Sequence, residues 1–138
     1  MMSTSSALLE RFHAAMNRHD LDAFVACFQP DFDSKQPTHL DRAFVGSDQV
    51  RKNWGRLFEG MPDFVGDLLR SVVTEDTIWS EWDWHGTRTD GTAFHVAATI
   101  IFGVRDNLLS WARLYMEPVE GEGAGIDAQV GTWVHKSE

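Results

Sequence analysis

Residues 78–117 read IWSEWDWHGTRTDGTAFHVAATIIFGVRDNLLSWARLYME. Three runs rich in aromatic and β-branched residues are separated by two turn signals, Thr89-Asp90-Gly91 and Asp106-Asn107. This is the pattern of a three-strand antiparallel meander. Side chains alternate faces along a strand, so loop length decides which faces meet. A three-residue loop with Gly91 in the left-handed position sets Trp84 opposite Val96, Trp82 opposite Ala98, Ser80 opposite Ile100 and Ile78 opposite Phe102. A two-residue loop at Asp106-Asn107 sets Val104 opposite Leu109, Phe102 opposite Trp111, Ile100 opposite Arg113, Ala98 opposite Tyr115 and Val96 opposite Glu117. Both registers together predict one continuous face bearing Trp82, Trp84, Phe94, Val96, Ile100, Phe102, Trp111, Arg113, Tyr115 and Glu117. A slip of one residue would move each strand's whole set to the other side. Mostly apolar, with one arginine, one phenol and one carboxylate, the face has the composition of a ligand pocket.

The surrounding chain bounds the answer. Its 138 residues, 43% apolar with six tryptophans, make one domain able to bury a core without covalent staples. A formal charge of −9 argues against nucleic acid and anionic membrane surfaces as partners, since both require basic patches. Cys27, the single cysteine, excludes a disulfide framework and reads as a buried, inert thiol. No signal peptide and no apolar run of membrane length is recognisable, so a cytoplasmic location is expected.

In chain order, Leu8, Leu9, Phe12, Ala15 and Met16 recur at helical spacing behind Ser5 or Ser6 as N-cap. Asp20 caps a second helix with Leu21, Phe24, Val25 and Phe28 on one face, closed by Pro30. Residues 31–46 are irregular, with short strands expected at 31–34 and 42–45 and a central strand excluded by Pro37. Val50, Trp54, Leu57, Phe58 and Met61 stripe a third helix from Gly46-Ser47 to Gly60. A strand over 64–74, of open register, turns at Glu75-Asp76 into the meander. The expected domain spans 5–118, and 119–138 form a Gly-rich linker and an apolar tail. Helix, helix, short strand, helix and four long antiparallel strands predict an α+β domain, helices gathered on one face of a sheet. A sheet curling around the third helix would enclose a cone-shaped cavity.

The stretches FVGSDQVRKNW (44–54), MPDF (61–64), WHGTRTDG (84–91) and FGVRDNLLSWARLYME (102–117) resemble the SnoaL-like, polyketide cyclase-like branch of the nuclear-transport-factor-2-like superfold. The resemblance covers about residues 6–118. It implies a cone-shaped curved antiparallel sheet wrapped around helices, in a small dimer without metal or organic cofactor. Members of the superfold include ketosteroid isomerase, scytalone dehydratase, limonene epoxide hydrolase and polyketide cyclases, beside non-catalytic proteins. The chain departs from the branch at Glu117, where aspartate is usual, and at Arg88, where histidine is common. Fold alone does not determine chemistry.

Glu117 is the candidate acid/base. Set among apolar groups, a carboxyl acquires the character that proton transfer needs; at a strand end beside Pro118 it could equally face water. Arg113 and Tyr115 share its face as candidate polarising donors. A buried arginine needs a partner, so Arg113 either meets an anionic ligand or pairs internally with Glu117 or Asp67. Trp82, Trp84, Trp111, Trp54 and Phe58 are candidates to line a pocket for a flat hydrophobic substrate, or plain core. His39 precedes the third helix, where the superfold reaches over its cavity mouth. The histidines lack metal-ligand spacing, and no nucleophile, phosphate-loop or dinucleotide motif occurs, so neither metal nor cofactor is expected. The opposite, convex face carries Trp79, His85, His95 and Ile101, a surface suited to a homodimer. The expected function is cofactor-independent acid/base chemistry, of isomerase, cyclase, dehydratase or hydrolase type, on a small hydrophobic carbonyl or hydroxyl compound. The alternative is a non-catalytic ligand-binding or dimerisation protein of the same fold.

Overall fold

The computed structural model describes residues 3–135. Helix α1 (Thr4–Arg18) starts two residues earlier than expected. Ser3 is its cap, accepting from Ser6 N, while Ser5 is buried and donates to Glu75 O at 3.1 Å. Leu8, Leu9, Phe12, Ala15 and Met16 are all buried, each large side chain contributing about 1.5–3 kcal/mol of apolar transfer. His19 ends the helix at φ 56°, and Asp20 caps α2 (Leu21–Val25) by accepting from Ala23 N.

Helix α2 stops one turn short of the expected Phe28. That residue opens β1 (Phe28–Lys35) instead and pairs with Leu109. Its position satisfies the helical stripe and the strand equally, and the core contact with Phe24 and Phe32, rings 5.4 and 4.8 Å away, favours the strand. Pro30 lies inside β1, where the pairing slips between Phe28 and Asp33, so its missing N–H costs no ladder bond.

The remaining elements are a 3₁₀ turn (Leu40–Arg42), β2 (Phe44–Val45), α3 (Ser47–Gly60), β3 (Val65–Thr74), β4 (Thr77–Thr87), β5 (Ala93–Arg105), β6 (Leu108–Pro118) and α4 (Ile126–Val134). They build one six-stranded sheet in the order β2-β1-β6-β5-β4-β3. The α+β class and the antiparallel meander stand as read. The sheet is mixed, however, because β1 runs parallel to β6. Helices α1 and α3 cover its inner face.

Register decides the site. The first hairpin closes through Gly91 at φ 87°, with Arg88 N donating to Thr92 O at 2.9 Å. It gives the expected pairs Trp84–Val96, Trp82–Ala98, Ser80–Ile100 and Ile78–Phe102. The second hairpin turns on Asp106 and Asn107 at φ 52° and 61°, both left-handed as a two-residue hairpin loop requires, and Val104 pairs with Leu109 as expected. One pair further on the register shifts. Gly103 meets Trp111 and Phe102 meets Ala112, so Ser110 is the extra residue of a bulge. The expected Phe102–Trp111 pairing is thereby corrected, and every residue of β6 beyond Ser110 lies on the face opposite to that predicted.

The cause is visible at Gly103. A Cβ there would lie 1.8 Å from Trp111 Nε1; the indole occupies the space that only glycine leaves open. Beyond the sheet, α4 stands clear of the body, with Ile126, Trp133 and Val134 each about 70% exposed.

Candidate functional site

The inner face and the helices enclose a cavity of about 170 Å³. Phe12 and Phe24 of the first two helices form one wall, and Phe28 and Phe32 of β1 another. The third helix contributes Val50, Trp54 and Leu57, and the sheet contributes Trp84, Ile100, Phe102, Ala112, Leu114 and Met116. Trp54 meets Trp84 edge-on at 5.4 Å and tilts against Phe24 at 4.5 Å. Such offset and edge contacts hold aromatic walls in fixed orientations.

Three polar side chains reach this apolar space: Ser34, Gln36 and Asn53. Gln36 Oε1 accepts from Arg42, and Asn53 Oδ1 accepts from Gln49 at 2.8 Å. Each amide's NH₂ group therefore stays uncommitted among the described residues. None of the described residues that line the cavity is titratable.

The expected site divides accordingly. Of the expected lining residues, Trp54 and Trp84 border the cavity. Trp82 is fully buried core; its indole N–H donates to Ser80 Oγ at 2.9 Å, and that hydroxyl donates to Ile100 O at 2.8 Å. Phe58 stacks on His19 at 4.4 Å and does not reach the cavity. Trp111, Arg113, Tyr115 and Glu117 do not join Trp82 and Trp84 on the inner face. The Ser110 bulge carries them to the outer face, where Arg113 pairs with Ile101, Tyr115 with Thr99 and Glu117 with Ala97. Arg113 neither meets Glu117 nor Asp67 within ion-pair distance; its guanidinium lies 5.2 Å from the Trp111 ring centroid. The Glu117 side chain is 62% exposed, so the apolar surroundings expected for it are not there.

Three imidazole–carboxylate pairs decorate that outer face. His39 donates to Glu117 at 2.5 Å, His95 to Asp83 at 2.6 Å and His85 to Asp67 at 3.1 Å. The three carboxylates share one row across β3, β4 and β6, since Asp67 pairs with Asp83, Asp83 with Ala97 and Ala97 with Glu117. His85 and His95 face each other on this side, as predicted. Among the described residues no group of three or more His, Cys, Asp or Glu gathers closely enough to hold a metal.

Sequence reasoning missed Ser34, Gln36, Asn53, Leu57, Leu114 and Met116. Asn53 had a usable signal, since it falls three residues after Val50 inside the apolar stripe of α3, and a polar residue there faces the interior. The MPDF corner proves structural. Asp63 Oδ1 accepts from Thr87 N at 2.8 Å, and the hydrogen bonds from Thr87 hold its carboxyl below the usual carboxylate range. Burial pushes the Cys27 thiol up, as expected for an inert cysteine.

The SnoaL-like domain family matches residues 9–112. Solved structures agree in shape at low identity. An LEH-like epoxide hydrolase from M. tuberculosis aligns with 83% of this chain and 83% of its own at 15% identity and TM-score 0.71. TsrD from Streptomyces laurentii aligns with 85% and 92% at 21% identity and TM-score 0.71. A protein with a ketosteroid isomerase-like fold from Catenulispora acidiphila aligns with 78% and 83% at 15% identity and TM-score 0.67. At such identities the likeness carries the fold and not the chemistry. No curated protein matches the chain in sequence.

Proposed function

Because the chain belongs to the SnoaL-like domain family, we propose that its cone works as a binding cavity for one small, largely aromatic molecule. The observation that carries this reading is the lining itself: aromatic and aliphatic walls, three neutral polar groups and no titratable side chain among the described residues. A ring could stack between Trp54, Phe28 and Trp84, while the free amide hydrogens of Gln36 and Asn53 or the Ser34 hydroxyl meet a carbonyl or hydroxyl on its edge. The volume is close to that of an engineered apolar cavity of about 150 Å³ that admits benzene. It is small for a multi-ring substrate. Proton transfer by the cone's own side chains has no support in this lining, so of the two functions expected from sequence the binding one fits better.

The test is a fluorescence titration with indole-free probes such as toluene and acetophenone, read from Trp54 and Trp84. Saturable quenching is expected in the parent and its loss in Ala112→Leu, which fills space at the cavity wall. Unsaturable, weak quenching in both proteins would refute the reading.

One observation favours a second reading. His39 and Glu117 form a 2.5 Å pair beside Tyr115 on the outer face, an arrangement suited to general acid/base work. On this reading Glu117→Gln abolishes an activity that Ala112→Leu leaves intact. A homodimer through the outer face belongs to either reading and is supported by the exposure of Val72 and Trp79 there.

A further inference from the structure

An open groove adjoins the cavity, and Asn53 and Leu57 line both spaces. Asn53, Arg56, Leu57 and Gly60 fall at i, i+3, i+4 and i+7 along α3, so one face of the helix runs from the cavity into the groove. At 1.5 Å rise per residue that path is about 10 Å long. The groove is cationic. The two charged side chains that line the groove are Arg56 and Arg88, and neither has a carboxylate within ion-pair distance among the described residues, in a chain of net charge −9.

Arg88 is held ready for a ligand. One guanidinium nitrogen donates to Ala93 O at 2.6 Å and to Thr92 Oγ1 at 3.2 Å, and the group lies 5.6 Å from the Phe94 ring centroid. Its other nitrogens are uncommitted among the described residues. Of the neighbouring carboxylates, Asp90 lies close enough to feel the Arg88 charge but makes no ion pair with it. Asp90 accepts from the Thr92 N–H and hydroxyl at 3.0 and 2.6 Å, Asp63 accepts from Thr87 N, and Glu59 does not line the groove. Guanidinium groups with free nitrogens pair bidentately with planar oxyanions.

We propose that the ligand of this cone is an aryl-alkanoic anion, its single ring in the 170 Å³ cavity and its carboxylate between Arg56 and Arg88. The proposal rests on the reading of the cone as a binding cavity and adds the class of molecule that it takes. Arg56 lies three residues beyond Asn53, about 4.5 Å along the helix axis, a distance that a chain of three or four methylenes covers. Asn53, at the threshold, can donate to a polar group along the way.

The experiment compares 4-phenylbutyrate with its neutral amide by isothermal titration at low and at moderate salt. In the parent the carboxylate should bind about tenfold or more tightly than the amide, and the preference should shrink as salt screens the charge pair. In Arg56→Gln/Arg88→Gln, whose substituted side chains are exposed, the two probes should bind equally. If the parent binds both probes with equal affinity at low salt, the anion proposal is overturned while the cavity reading stands. If it binds neither, both fall together.

Discussion

Gly103→Ala examines the register that divides inner from outer face. The added Cβ would sit 1.8 Å from Trp111 Nε1 and 2.1 Å from Cε2, roughly 2 Å short of ordinary carbon contact. Trp111 must therefore swing away and give up its contact with the Arg113 guanidinium. Overpacking of this kind costs about 1–3 kcal/mol. An alanine in a strand recovers about 0.5–1 kcal/mol relative to glycine through lost chain entropy. The net loss expected in the parent is about 0.5–2 kcal/mol. In a Trp111→Ala background the clash is absent, and the same change should be neutral or slightly stabilising. A urea-unfolding double-mutant cycle, read by the other tryptophans, should return a coupling of about 1–3 kcal/mol. Equal costs in both backgrounds would mean that Trp111 does not cover Gly103, and the bulge at Ser110 would have to be abandoned.

Other outcomes follow from the same structure. Asp63 has a folded-state pKa below its ordinary value of 3.8, so its stabilising effect is present above that value and is lost as pH falls through the folded one. Asp63→Ala should lower the melting temperature at neutral pH, with the gap to the parent closing below about pH 3.8; a constant gap down to acid would point to packing instead. Deletion of residues 120–138 should leave the melting temperature within about 2 °C of the parent, since α4 stands clear of the body; a larger drop would show that the tail is part of the core. Trp79 is 49% exposed on the outer face beside Val72 at 59%. Light scattering of the parent should give a dimeric mass and Trp79→Glu a monomeric one, and a monomeric parent removes the proposed interface.

The first hairpin was legible because its loop left little choice. Gly91 supplies the one left-handed position, and four pairs follow correctly from it. The second hairpin has an equally plain turn, yet the reading failed three residues beyond it. An interior strand glycine is the usual mark of a bulge or a close approach, and Gly103 carried that mark opposite Trp111. That one extra residue exchanges Glu117, Tyr115 and Arg113 for Met116, Leu114 and Ala112 on the inner face. Phe28 failed for a different reason: its spacing suits a helix stripe and a strand start alike, and only the tertiary contacts choose. The polar rim of the cavity comes from Ser34, Gln36 and Asn53, which no local pattern brings together, because two lie on or just after β1 and one on α3. Trp54 and Trp84 were found because large aromatics on the inner periodicity of their elements must meet wherever the helix crosses the sheet.

Whether the cone admits a small aromatic molecule is tested most directly by anomalous diffraction from a crystal soaked in bromobenzene. A bromine peak is expected inside the cavity bounded by Phe28, Trp54, Trp84 and Leu114, absent from an Ala112→Leu crystal soaked in the same way. A parent crystal whose cavity stays empty of bromine while peaks appear only on the outer face would contradict the proposed binding.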